Sequence, residues 1–103
     1  MADKSWKAWE RRCAKYLGGE RRGADFGDVR GGKNDLLHQT LSVECKLLAR
    51  PSYQQMLDAC RQAEAAVEHP GQTPIGVIKR KRDRDDDALV VMRLRTYRDW
   101  FVE

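Results

Sequence analysis

Glu44 and Lys46 stand two residues apart in a run, Leu41 to Leu48, whose side chains alternate cleanly. Leu41, Val43, Cys45 and Leu47 would point one way, and Ser42, Glu44, Lys46 and Leu48 the other. On a strand this spacing places a carboxylate and an ammonium on one face with roots about 6.5–7 Å apart, close enough to surround one reacting group. Asp35 comes from the preceding segment, Asp35-Leu36-Leu37-His38, and a tight turn at Gln39-Thr40 would fold it back beside Glu44. Two carboxylates side by side are costly unless a cation lies between them. Mg²⁺, which takes oxygen ligands at about 2.0–2.1 Å and keeps waters, suits Asp35, Glu44, the backbone carbonyl of Cys45 and an oxygen of a substrate phosphate. On its own, Glu-x-Lys also fits a surface salt bridge worth less than about 1 kcal/mol, with Asp35 capping a turn.

A third carboxylate is out of place. Trp6, Trp9, Cys13, Tyr16 and Leu17 recur at helical spacing and predict a helix over Ser5–Leu17, capped by Asp3 or Ser5 and stopped by Gly18-Gly19. At about 100° per residue, Glu10 falls between the directions of Trp6, Cys13 and Leu17, inside the apolar arc. Glu64 interrupts the stripe of the second predicted helix in the same way.

The remaining elements must hold these groups together. From Gly18 to Asn34 the chain has six glycines and four basic residues, Arg21, Arg22, Arg30 and Lys33, and reads as a basic loop with a short strand around Phe26 to Val29. After the Glu44 strand, Pro51 suits the first turn of a helix whose apolar face is Tyr53, Met56, Leu57, Cys60, Ala63 and Val67, ending at His69-Pro70-Gly71. That helix should cross over to a parallel strand, Pro74 to Lys79. The charged run Lys79 to Asp87 reads as a solvated hairpin tip before a last strand, Ala88 to Leu94. Thr96 with Asp99 resembles a capping box opening a short helix that carries Trp100 and Phe101. The expected fold is one α/β domain over residues 1–103, an α+β arrangement with a mixed sheet.

With 103 residues, 35% of them charged, and 20 Lys and Arg against 16 Asp and Glu, the chain has room for one domain of net charge +4. A domain this small buries only about two-thirds of its unfolded surface, so a homodimer is a natural way to add buried area. No apolar run approaches the roughly 18 residues of a membrane span, and the first residues lack the apolar core of a signal peptide, so a soluble, cytoplasmic protein without a membrane partner is expected. Cys13, Cys45 and Cys60 form no CxxC pair and read as reduced core residues. His38 and His69 lie far apart with no second cysteine beside either, which argues against structural zinc.

The order Glu10, Asp35, Glu44-Cys45-Lys46 resembles the PD-(D/E)XK nuclease superfamily, and the small size and helix-first layout resemble its archaeal-type and phage-encoded Holliday junction resolvases. Lys33-Asn34-Asp35-Leu36, Ser42-Val43-Glu44-Cys45-Lys46, Gln62-Ala63-Glu64-Ala65-Ala66 and Asp87-Ala88-Leu89-Val90-Val91-Met92-Arg93-Leu94 carry the likeness over nearly the whole chain. The resemblance implies a restriction-endonuclease-like core in which Asp35 and Glu44 hold Mg²⁺ or Mn²⁺, Lys46 orients or helps activate the attacking water, and Glu10 completes the acidic site. Gln62 would match a polar helix residue near the site in relatives, or be a solvated glutamine. Two departures stand out: Asn34, not proline, precedes Asp35, and no Ser or Thr occurs between Gly18 and Asn34, where such resolvases often carry a catalytic hydroxyl. Phosphodiester hydrolysis needs a positioned water and charge neutralisation at the phosphate, which metal and lysine supply without a covalent nucleophile. Lys7, Arg11, Arg12, Lys15, Arg21, Arg22, Arg30 and Lys33 would contact DNA phosphates without reading sequence. The implied activity is paired nicking of four-way DNA junctions by a symmetric dimer. The alternatives are a related nuclease acting on flaps, ends or duplex sites, and a non-catalytic DNA-binding module of the same fold.

Overall fold

In the computed structural model, residues 5–22 and 34–103 are described. Helix α1 spans Ser5–Leu17 and stops where Gly18 takes a φ of 78°, a left-handed turn that glycine adopts without strain. Its buried stripe is Trp9, Glu10, Cys13 and Ala14. Trp6 and Tyr16, expected on that stripe, are 47% and 60% exposed. They flank the contact: Trp6 lies beneath Lys7 and Arg21, and the Tyr16 hydroxyl donates to Asp85 at 2.7 Å.

Strand β1 (Glu20–Arg21) pairs antiparallel with β2 (Leu36–Leu37). This corrects the expected hairpin between residues 35–38 and 41–48, because β2 has its ladder with β1. Its tie to β3 (Leu41–Leu48) is the Asp35 amide donating to the Val43 carbonyl at 2.9 Å. The turn between them is fastened by His38, whose Nδ1 accepts the amides of Thr40 and Leu41 at 3.1 and 3.2 Å. With Nδ1 accepting, Nε2 carries the proton and donates to the Leu17 carbonyl at 2.7 Å. The expected strand around Phe26 to Val29 lies outside the described residues.

The crossover is as the periodicity predicts. Helix α2 (Tyr53–Ala65) joins β3 to β4 (Thr73–Arg80), which pairs with it in parallel, Glu44 opposite Gly76, and β5 (Leu89–Val91) adds antiparallel on the far side. Ser52, not Pro51, starts α2: its hydroxyl accepts the Gln55 amide while the Gln55 side chain accepts the Ser52 amide. The helix ends at Ala65, short of His69-Pro70-Gly71, and Tyr53 is 78% exposed instead of lying on the apolar face. The buried face is narrower and built of small residues, Ala59, Cys60 and Ala63. Small side chains allow close approach: a Cβ on Gly76 would come within 3.2 Å of the Ala59 Cβ and 3.0 Å of Val91 Cγ2.

Helix α3 (Leu94–Phe101) begins two residues before Thr96, with Arg93 as its N-cap, so Thr96 is buried in its first turn and does not cap it. Strand β5 stops at Val91, earlier than expected, and Arg93 reaches Glu64 on α2 at 2.8 and 2.5 Å. That ion pair accounts for the carboxylate interrupting the α2 stripe. The charged run is not wholly a solvated tip either. β4 continues to Arg80, burying Lys79 with its ammonium 5.7 Å from the centre of the Trp9 ring, and a 3-10 turn covers Asp85–Asp87.

Trp9, Cys13, Leu36, Val43, Cys45, Ile75 and Val77 form the core between α1 and the sheet. The three cysteines are free and buried, as expected. Among the described residues the result is an α+β domain with a mixed sheet and three α-helices. Among the described residues no helix is long and apolar enough to cross a membrane.

Candidate active site

Strand β3 is an edge strand, and its free side carries the cluster. The Cys45 amide, turned away from β4, donates to Asp35 Oδ2 at 2.7 Å, while the Asp35 amide and carbonyl are held by Val43 and the Arg22 amide. Because N–H and C=O of one strand residue point to the same side, the Cys45 carbonyl faces this edge as well. Asp35 is thus fixed by three backbone contacts before its second carboxylate oxygen meets anything.

Glu44 is buried beside it. Loss of solvent and the neighbouring Asp35 charge push the Glu44 carboxyl up to about 8, against the pull of Lys46. The Lys46 ammonium is 3.5 Å from Glu44 Oε1. Burial also raises the Asp35 carboxyl, opposed by its hydrogen bonds from Cys45 and Glu44. One lysine does not offset the two carboxylates, so each acid makes the other harder to ionise.

Glu10 approaches from α1. Burial and the Asp35 charge raise its carboxyl, while Arg21 Nε donates to Oε1 at 2.8 Å and lowers it. The structure therefore brings Glu10, Asp35, Glu44 and Lys46 into one electrostatic neighbourhood and adds Arg21. It does not assemble the expected metal set as a finished cage. Among the described residues no group of three or more His, Cys, Asp or Glu side chains is arranged to hold a metal ion, and the Glu10 carboxylate is engaged by Arg21. The donor pair that fits a divalent cation is Asp35 and Glu44, two oxygen acids short of positive charge, with the Cys45 carbonyl along the same edge.

Asn34 was noted in the sequence only as a departure. It is 2% exposed, accepts from Arg22 Nε and Nη2 at 3.2 and 3.1 Å, and donates to Ser42 Oγ at 3.2 Å. Ser42 donates in turn to the Ala63 carbonyl at 2.7 Å. This chain of bonds fixes the residue before Asp35 to both β3 and α2, a rigidity that proline would supply through its ring. Nothing in the local spacing announces it, because each partner comes from a different element.

The basic residues expected on DNA divide. Arg22 is held by Asn34 and Glu68, Arg21 by Glu10, and Arg12 by Asp85 at 2.8 Å, so each has a partner within the fold. Arg11 and Lys15 are exposed on α1, and the Lys7 ammonium sits 5.5 Å from the Trp6 ring. Arg30 and Lys33 lie outside the described residues. Gln62 is exposed on α2, on the solvent side of the buried Ala59 and Ala63. Comparison with family models, with curated proteins and with solved structures finds no match to this chain, so the reading of the site rests on its own residues.

Proposed function

We propose that this chain is a metal-dependent DNA endonuclease with a restriction-endonuclease-like core, acting inside the cell and nicking four-way junctions as a symmetric dimer. The observation that carries the reading is the Asp35–Glu44 pair: a half-buried and a buried carboxylate side by side at a strand edge, both held above their ordinary values by loss of solvent, with Lys46 alongside. Asp35, Glu44 and the Cys45 carbonyl would hold Mg²⁺ or Mn²⁺, which polarises water and neutralises phosphate charge when bound. Lys46 places a positive charge where the attacking water and phosphate oxygen would meet. Glu10 adds a third acid, raised by burial and the Asp35 charge against the pull of Arg21. Cleavage of a labelled synthetic four-way junction, compared with linear duplex and flap DNA of the same sequence, tests this. Cutting with Mg²⁺ or Mn²⁺ and little with Ca²⁺ is expected, junction preferred. Full cleavage in excess chelator rules out the metal mechanism, preference for flap or duplex moves the enzyme to another substrate, and binding without cutting leaves a DNA-binding module.

Two cuts on a junction call for two subunits, and the C-terminal face favours a second copy as its partner. Leu89 and Val90 on β5, Leu94, Tyr97, Trp100 and Phe101 on α3, and Val102 just after it are large apolar side chains left exposed. Among the described residues strand β5 is also a sheet edge. Sedimentation should show a dimer at micromolar concentration, and Leu94→Asp with Phe101→Glu should yield a folded monomer. A wild-type monomer, both free and on junction DNA, overturns the dimer.

A further inference from the structure

The charged run between β4 and β5 alternates in sequence but separates in space. Lys79, Lys81 and Arg82 join Arg12, Ser5 and Leu47 around a cleft of about 500 Å³ beside α1. Asp83 and Asp87 turn to a different hollow, lined also by Arg80, Met56 and Ile78, where Asp83 accepts from Arg80 at 2.8 Å. Two of the four acids of the run, Asp83 and Asp87, therefore line another depression. Asp85 is the acid beside Arg12 and Lys79, and its Oδ2 already accepts from Arg12 Nε at 2.8 Å and Tyr16 at 2.7 Å while Oδ1 accepts from Arg12 Nη2 at 3.4 Å.

The cations of the cleft are incompletely matched. Lys79 is buried, yet its nearest carboxylate oxygen, on Asp85, is 3.7 Å away, beyond hydrogen-bond reach. Among the described residues the side chains of Lys81 and Arg82 make no hydrogen bond or ion pair. Arg82 holds a φ of 74°, a left-handed conformation unfavourable for a residue with a Cβ, at the turn that brings it to the cleft. With Arg12 paired to Asp85, Lys79, Lys81 and Arg82 remain around one concavity and repel each other unless a further anion joins them.

We infer that this cleft binds a phosphodiester group of the DNA backbone, a contact point separate from the carboxylate cluster. The inference rests on the nucleic-acid reading above and extends it to a run that the sequence reads only as a solvated hairpin tip. Ser5, Ala8 and Arg12 follow at intervals of three and four on one flank of α1, while Glu10 lies on the other, so the two sites sit on opposite flanks of one helix. A guanidinium, ammonium groups and a serine hydroxyl are the donors that suit phosphate oxygens.

The test is DNA affinity in chelator, by fluorescence anisotropy of a labelled junction and a labelled duplex across a salt series. The Lys81→Glu/Arg82→Glu double variant should bind at least tenfold more weakly, with a log–log salt slope shallower by about two. Arg82→Gly removes the charge while relaxing the backbone, so it should bind more weakly while melting no lower. Unchanged affinity in both variants overturns the assignment. Inorganic phosphate supplies the other arm: if it binds the wild type at micromolar concentration, and the double variant loses that binding while keeping its DNA affinity, the site belongs to a free anion and not to DNA. Wild-type cleavage is scored separately. A wild type that binds through this cleft but cuts no DNA leaves this assignment standing and removes the nuclease, and a nuclease indifferent to the cleft does the reverse.

Discussion

Asp85 gathers an arginine, a tyrosine and a lysine around one carboxylate, whereas at the edge of β3 two carboxylates, Asp35 and Glu44, share one lysine. Hydrogen bonds from Tyr16 and Arg12 hold the Asp85 carboxyl below its ordinary value, and burial holds Asp35 and Glu44 above theirs. The same functional group serves two ends. With donors in excess, Asp85 fastens α1 to the β4–β5 connection; short of them, the Asp35–Glu44 pair keeps a standing deficit of positive charge that a cation can fill.

The sharpest way to break this contrast is to neutralise one carboxylate at each place. Asp35→Asn should cut single-turnover cleavage on the order of 10²-fold or more while the protein stays folded, because the amide oxygen can still accept the Cys45 N–H. Asp85→Asn should lower stability by about 1–2 kcal/mol, several degrees of melting temperature. An Asp35→Asn protein that melts lower yet cuts at the wild-type rate would falsify the active-site assignment, and an Asp85→Asn protein as stable as wild type removes the fastening role.

The pH dependence should also run in opposite directions. Glu44 titrates near 8 when folded against 4.5 when unfolded, so the folded state holds the extra proton between those values. Its contribution is intact below about pH 4.5 and is lost as pH climbs through 8. Asp85, lowered from 3.8, contributes above that value and loses its effect as pH falls through the depressed one. In chelator, melting temperature should therefore decline from pH 5 to 9, Glu44→Gln should flatten the decline, and Mg²⁺ at pH 8 should reverse it. A flat wild-type profile contradicts the raised Glu44 carboxyl.

The smallest effect concerns Glu10, where one arginine opposes burial and a neighbouring charge. Arg21→Gln should raise its carboxyl further and release its oxygen, tightening apparent Mg²⁺ affinity a few-fold, read from metal-dependent melting. Weaker affinity would show that Arg21 positions Glu10 for the metal instead of withholding it.

Helix α1 and the β3–α2–β4 crossover were legible because their apolar periodicities are long and bounded by glycine or cap residues. The β1–β2 ladder was not: each strand has two residues, too few for any period to show. Lys79 was legible in principle, since extending the alternation of Ile75 and Val77 by one step puts it on their face, but the charge of its neighbours outweighed the pattern. At the site, Glu10 stood out as a carboxylate in an apolar arc, and the structure brings it near Asp35 and Lys46. Its partner Arg21 and the Asn34–Ser42 bonds did not stand out, because spacing along one element says nothing about polar partners from another.

The edge position of β3 has a dynamic consequence. On its inner side β3 pairs with β4 along its full length, and α2 packs behind; on its outer side Asp35 is tied by the Val43 carbonyl and the Cys45 amide, next to a ribbon of two-residue strands. The Asp35 and Cys45 amides should exchange hydrogen through local opening of that ribbon, while the Glu44 and Lys46 amides, turned toward β4, should wait for global unfolding. The carboxylates that would share a cation thus belong to segments of unequal kinetic lifetime, and a bound ion would act as a clasp that slows exchange at Asp35 and Cys45 while leaving Glu44 and Lys46 nearly unchanged.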